Sequence, residues 1–140
     1  MLHPHLYALE GLWCYSQATG DQEALERARR GAQWAFEHQL EAGGLPRYVE
    51  TGSGERGVEQ LDATSQAVRM AVLTGARPAG LDRAVARLTE AARGEGGVLS
   101  LPYQPTETPT HSNAWVSMFG AQALELAAAD TPSLRWQLLV

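Results

Sequence analysis

The sequence has no lysine: all eleven of its basic residues are arginine. Against sixteen acidic residues they leave a formal net charge of −5. A nucleic-acid footprint needs a clustered basic surface, so no nucleic-acid partner is expected. The lysine gap reads as a bias of genome composition more than of function. Cys14 is the one cysteine, which excludes a disulfide within the chain and fits a reducing compartment. It reads as a small hydrophobe in a helix rather than a nucleophile. No stretch approaches the ~20 apolar residues of a membrane span. The N-terminus lacks the basic region and apolar run of a signal peptide. A cytoplasmic protein with no membrane partner is therefore expected. With 44% hydrophobic and 19% charged residues over 140 positions, one domain with a real core is in reach.

Hydrophobic spacing predicts an all-α chain of antiparallel helical hairpins forming a single domain. Helices are expected over 6–18, 22–41, 59–73, 80–92 and 112–128, with long loops at 42–58 and 93–111. The first is apolar on every side, through Leu6, Tyr7, Leu9, Leu12, Trp13 and Tyr15, which predicts a buried helix. The second carries one stripe, Leu25, Ala28, Ala32, Phe36 and Leu40, and decorates the rest with Glu26, Arg27, Arg30, Gln33 and Glu37. That is an amphipathic surface helix, and Asp21 is its natural N-cap. The third is again apolar in its later turns, the fourth amphipathic, the fifth apolar. After "DTP", the segment "SLRWQLLV" starts like another helix. The stretch "GGLPRYVETGSGERG" is broken by glycines and a proline, so it is a loop or short hairpin. Its glycines lack phosphate-loop spacing.

The alternation is an internal repeat. "TG" recurs at Thr19-Gly20 and Thr74-Gly75, an offset of 55, and "GG" at Gly43-Gly44 and Gly96-Gly97, an offset of 53. Solenoids of helix pairs repeat at about 34 or about 40–47 residues. The longer period suits an inner layer of covered helices and an outer layer facing water. The run "HLYALEGLWCYSQATGDQEALERARRGAQWAFEHQLEAGGLPRY", with "SNAWVSMFGAQALELAA" further on, resembles the (α/α) toroid, or six-hairpin glycosidase-like, superfamily. That superfamily includes glycoside hydrolases, sugar epimerases and polysaccharide lyases. The resemblance implies a partial toroid with alternating inner and outer helices, two and a half hairpins where a closed ring takes about six. Met1 would fall in mid-ring, implying a fragment, a degenerate relative or half of an assembly.

In such rings the loops and inner-helix N-termini at one end line the pocket. The resemblance therefore groups His3, His5 and Tyr7 with Arg47, Tyr48, Glu59, Gln60 and Asp62, and with Tyr103, His111, Asn113 and Trp115. It implies a saccharide, neutral or uronic-acid-containing, as the small-molecule partner, with no cofactor.

The residue types suit that partner, each with a structural alternative. Pyranose faces stack on Trp or Tyr, and their hydroxyls take planar polar groups. Trp115, Tyr48, Tyr103, Asn113 and Gln60 fit; Trp115 could equally fill a core. Glu59 and Asp62 are three apart and share a helical face. Glycoside hydrolysis needs carboxylates about 5–9.5 Å apart across the bond, and neighbours on one turn do not flank one easily. Helix capping explains them as well, and Asp62 is the better acid–base candidate. His111, with His3 and His5, suits acid–base chemistry. "HPH" has spacing for a metal on an extended segment, yet no third ligand follows and no metal is expected. As residues leading into a helix, His3 and His5 need no function. His38, on an amphipathic helix, is expected to be solvated. Arg47 and Arg56 could pair with a substrate carboxylate or phosphate or simply face water. The expected chemistry rests on His111 and Asp62. The competing expectation is a non-catalytic helical interaction module. Its open hairpin flanks, including Leu2, Leu6, Leu134, Trp136 and Leu138, would be covered by a partner or by a homodimer.

Overall fold

The computed structural model describes residues 1–92, 100–105 and 112–129. The chain is all-α. Its helices are α1 (Leu2–Thr19), α2 (Gln22–Glu37), α3 (Leu61–Thr74), α4 (Leu81–Ala91) and α5 (Ala114–Ala128). Two short strands, β1 (Leu45–Pro46) and β2 (Glu59–Gln60), pair antiparallel with Leu45 opposite Gln60. A further bridge joins Val49 to Arg56, so the expected loop 42–58 is closed as a hairpin. Glu59 and Gln60 belong to that hairpin and not to the helix, which starts two residues later than expected. Of the expected loop 93–111, residues 93–99 and 106–111 lie outside the described residues, as does "SLRWQLLV".

α3 packs against α1, α2, α4 and α5, and every residue from Leu61 to Ala71 is buried. α1, α3 and α5 form one layer; α2 and α4 cover it from one side. α2 presents Ala24, Ala28, Ala32 and Ala35 inward, a stripe small enough for close helix approach. Leu6, Leu9 and Trp13 of α1 and Ala67, Val68 and Ala71 of α3 fill the space beneath.

The "TG" repeat is one piece of chain chemistry used twice. Thr19 and Thr74 each donate a hydroxyl hydrogen bond to the carbonyl four residues back, Tyr15 and Met70. Gly20 and Gly75 then turn left-handed, at φ 77 and 69, and end their helices. The second "GG" pair lies outside the described residues. Asp21 caps α2 as expected, accepting from Glu23 and Ala24 N–H.

α1 departs from expectation in two ways. It begins at Leu2, so "HPH" is helical; Pro4 sits in the first turn, where its missing N–H has no partner to lose. Nor is the helix covered all round, for Tyr7, Ala8, Gly11 and Tyr15 face solvent. α5 likewise exposes Trp115, Met118 and Ala121. Only α3 has a neighbour in its own layer on both sides among the described residues.

Candidate functional site

The three helices of the first layer each carry a side-chain stripe at i, i+4 and i+7: His3, Tyr7 and Glu10; Asp62, Gln66 and Arg69; Trp115, Phe119 and Gln122. Helical periodicity puts each set on one face. The packing brings the first two sets into direct contact and lays Phe119 of the third over them. α1 and α3 run parallel, since His3 meets Asp62 and Glu10 meets Arg69.

At the N-terminal end, His3 Nδ1 lies 2.8 Å from Asp62 Oδ2. The distance is that of an ion pair, but the approach is out of line and Nδ1 has no hydrogen-bond partner among the described residues. Asp62 is 5% exposed, and its Oδ1 accepts the Ala63 N–H at 2.7 Å. The imidazole stands edge-on to Tyr7, centroids 4.6 Å apart, and 6.5 Å from the Phe119 ring. Trp115 continues this aromatic row at 6.4 Å from Phe119. Trp115 is 69% exposed and Tyr7 45%, so the row ends in open aromatic surface. Among the described residues Trp115 therefore fills no core.

Deeper in, Arg69 is 1% exposed and pairs with Glu10 at 3.1 Å. Gln66 donates to Glu10 at 3.3 Å and accepts from Arg69. The guanidinium also lies 5.0 Å from the centre of the Phe119 ring, within cation–π range. Arg69 Nε and Gln122 Oε1 are buried without hydrogen-bond partners among the described residues. Burial, reinforced by the Glu10 carboxylate, holds the Tyr7 hydroxyl above the usual tyrosine range.

The remaining expected site residues are elsewhere or otherwise engaged. His5 turns to α2, with Nε2 3.3 Å from the Gly31 carbonyl and its ring 4.9 Å from Trp34. Two residues apart on a helix, His3 and His5 diverge, and "HPH" is no chelating segment. Glu59 faces α4, where Arg87 donates to both its oxygens at 2.8 and 2.9 Å. It shares no face with Asp62, because the two stand in different elements. Tyr48 donates to Glu55 within the hairpin at 3.0 Å. Arg47 is exposed and contributes its carbonyl, which accepts the Leu2 N–H. Arg56 donates to the Gln39 carbonyl. Gln60 is buried before α3 with its Nε2 unpartnered among the described residues. Tyr103 packs on the core, and its carbonyl accepts the Leu61 N–H. Asn113 is the N-cap of α5, accepting from the Trp115 and Val116 N–H groups. His111 lies outside the described residues. His38 is half-buried against Trp34 at 4.7 Å, not solvated as its amphipathic helix suggested. Cys14 is half-buried, and desolvation pushes its thiol up, away from nucleophilic character.

Glu10, Gln66 and Arg69 escape a reading that looks only at helix ends. Their signal was available as the repeated 4-then-3 spacing of polar residues inside otherwise apolar helices.

An open cleft of about 280 Å³ lies at the other end of α1, lined by Leu12, Tyr15, Asp21, Glu23, Ala24 and Arg27. Its lining has one exposed Arg27–Glu23 ion pair and no convergent buried polar group, so the His3–Asp62 face is the stronger candidate. No cluster of three or more His, Cys, Asp or Glu suited to a metal ion occurs among the described residues. None of the described helices is long and apolar enough to cross a membrane. No family model, no curated protein and no solved structure matches the chain.

Proposed function

We propose that the chain is a carbohydrate-active protein of the (α/α) toroid kind, working in the cytoplasm. It binds a saccharide at the N-terminal ends of α1, α3 and α5. The observation that carries the reading is the open Trp115 indole, joined through Phe119 to Tyr7 and the His3–Asp62 pair. An exposed aromatic row beside a buried carboxylate and a half-buried imidazole offers a sugar both an apolar face and polar partners. Asp62 and His3 then supply acid–base groups on bound saccharide.

Saturation-transfer NMR with neutral sugars and with uronates tests the reading. One sugar class should bind, and Trp115→Ala should weaken it up to about tenfold, the equivalent of roughly 1.4 kcal/mol of stacking. If no saccharide binds at millimolar concentration, or Trp115→Ala binds as well as the parent, the reading fails.

A second reading, a non-catalytic interaction module, is favoured by the exposed Tyr7 and Tyr15 of α1 and Trp115 and Met118 of α5; Leu2 and Leu6, expected on an open flank, are instead fully buried, and Leu134, Trp136 and Leu138 lie outside the described residues. Large exposed apolar surface marks partner sites, and a homodimer through the exposed residues would cover it. Sedimentation velocity over a wide concentration range should then show self-association. A monomer throughout would remove the homodimer.

A further inference from the structure

We propose that Arg56 and Arg83 form a binding site for a phosphate monoester where the end of α2 meets the start of α4. The site lies in the outer layer and shares no residue with the saccharide face.

Gln39 is the joint. It follows α2 directly after the His38 cap. Its Nε2 donates to two carbonyls, Gly43 at 2.7 Å and Gly80 at 2.8 Å, and so ties the loop before β1 to the residue before α4. Both glycines are needed for this closeness. A Cβ on Gly80 would stand 2.0 Å from Gln39 Oε1, and one on Gly43, at φ 96, would stand 2.8 Å from the Arg83 carbonyl oxygen. The closure brings two arginines from separate elements onto one residue. Arg83 of α4 donates to Gln39 Oε1 at 2.7 Å, and Arg56 of the hairpin donates to the Gln39 carbonyl at 3.3 Å.

A neutral residue holds these two guanidiniums, which sets them apart. Arg27, Arg29, Arg69 and Arg87 each pair with a glutamate. Arg56 and Arg83 have no carboxylate partner among the described residues. The acids of the hairpin are engaged elsewhere: Glu50 with Ser53, Glu55 with Tyr48 and Glu59 with Arg87. Glu41 and Asp82, close to Gln39 and Arg83 in the chain, make no ion pair among the described residues.

Convergent cations repel one another, and an anion between them replaces that repulsion with attraction. Each guanidinium uses one N–H on Gln39 and keeps its other donors for a ligand. Both side chains are exposed, so a ligand reaches them from solvent. A single guanidinium already matches both oxygens of a carboxylate. Two that approach from different elements suit a tetrahedral dianion, whose oxygens serve both and whose charge offsets both.

The probe is inorganic phosphate, titrated into nitrogen-15-labelled protein at constant ionic strength and followed on the arginine Nε–H resonances. Arg56 and Arg83 should shift together and saturate, with a dissociation constant of about 1 mM. Arg56→Gln and Arg83→Gln should each weaken binding at least about tenfold. Arg30→Gln, which removes the same charge from an exposed position on α2, should leave binding unchanged. All three substitutions fall at exposed positions, and circular dichroism verifies that the helices persist. No saturable shift below about 10 mM phosphate overturns the site. So does binding that survives both Arg56→Gln and Arg83→Gln, or that falls equally in Arg30→Gln. Acetate bound as tightly as phosphate at the same ionic strength overturns the phosphate class.

Discussion

Arg69 of α3 and Glu10 of α1 form an ion pair at 3.1 Å with both side chains out of solvent. It crosses between two helices that are 59 residues apart at this point. Gln66 is bonded to both partners, so the three groups satisfy most of one another's polar demand.

Arg69→Ala should therefore be one of the more damaging single changes in the chain. It leaves a buried carboxylate uncompensated, a loss of about 3–5 kcal/mol. Replacing both charges by apolar side chains of similar volume, Arg69→Met with Glu10→Leu, should recover most of it. Urea denaturation of the single and double variants checks this. A double variant as unstable as Arg69→Ala would mean that the pair, rather than avoidance of an orphan charge, stabilises the fold.

The paired helix stops make a second prediction. Gly20→Ala and Gly75→Ala both force a Cβ into the left-handed region, and each should destabilise by about 1–2 kcal/mol. Neither Cβ would meet a close neighbour: nothing lies within 4 Å at Gly20, and at Gly75 only Arg29 does, at 3.8 Å. The two losses should consequently be alike, because backbone conformation is their shared cause. Thermal melts of the two variants would detect a difference.

Cys14 should react slowly with a disulfide reagent at neutral pH. Burial raises its thiol, with Glu10 adding to the effect, so little thiolate is present. A raised folded-state value favours the neutral form. The stability it contributes is present below the ordinary thiol range and lost as pH rises through the raised value. Labelling should accelerate with pH later than for a free thiol, and urea should abolish the delay. Folded protein labelling as fast as unfolded at neutral pH would contradict it.

Much of the helical order was legible from apolar spacing and from caps such as Asp21, because these are local. The site was only half legible. Asp62 and Trp115 were visible as unusual residues at helix starts, and Tyr7 as an aromatic beside histidines. The pairing of Asp62 with His3 depends on the relative height of two helices far apart in sequence, which spacing within one helix does not encode. Glu59 misled for the opposite reason: its spacing to Asp62 is helical, but pairing of Pro46 with Glu59 holds the backbone extended there. Asn113 carried the polar signature of a ligand group, yet its position just before α5 gives it an N-cap to fill.

The uninterrupted burial of α3 has a bearing on time as well as place. Its amides open to solvent only when four neighbouring helices loosen together, whereas among the described residues α1 and α5 each leave one flank exposed. Hydrogen exchange should thus be slowest along Leu61–Ala71 and faster on both sides. Repeats alike in sequence would then differ in lifetime, the middle one closing last to exchange and the outer ones breathing around it. The aromatic row lies where fast and slow parts meet: Tyr7 and Trp115 on helices free to move, Asp62 on the one that is not.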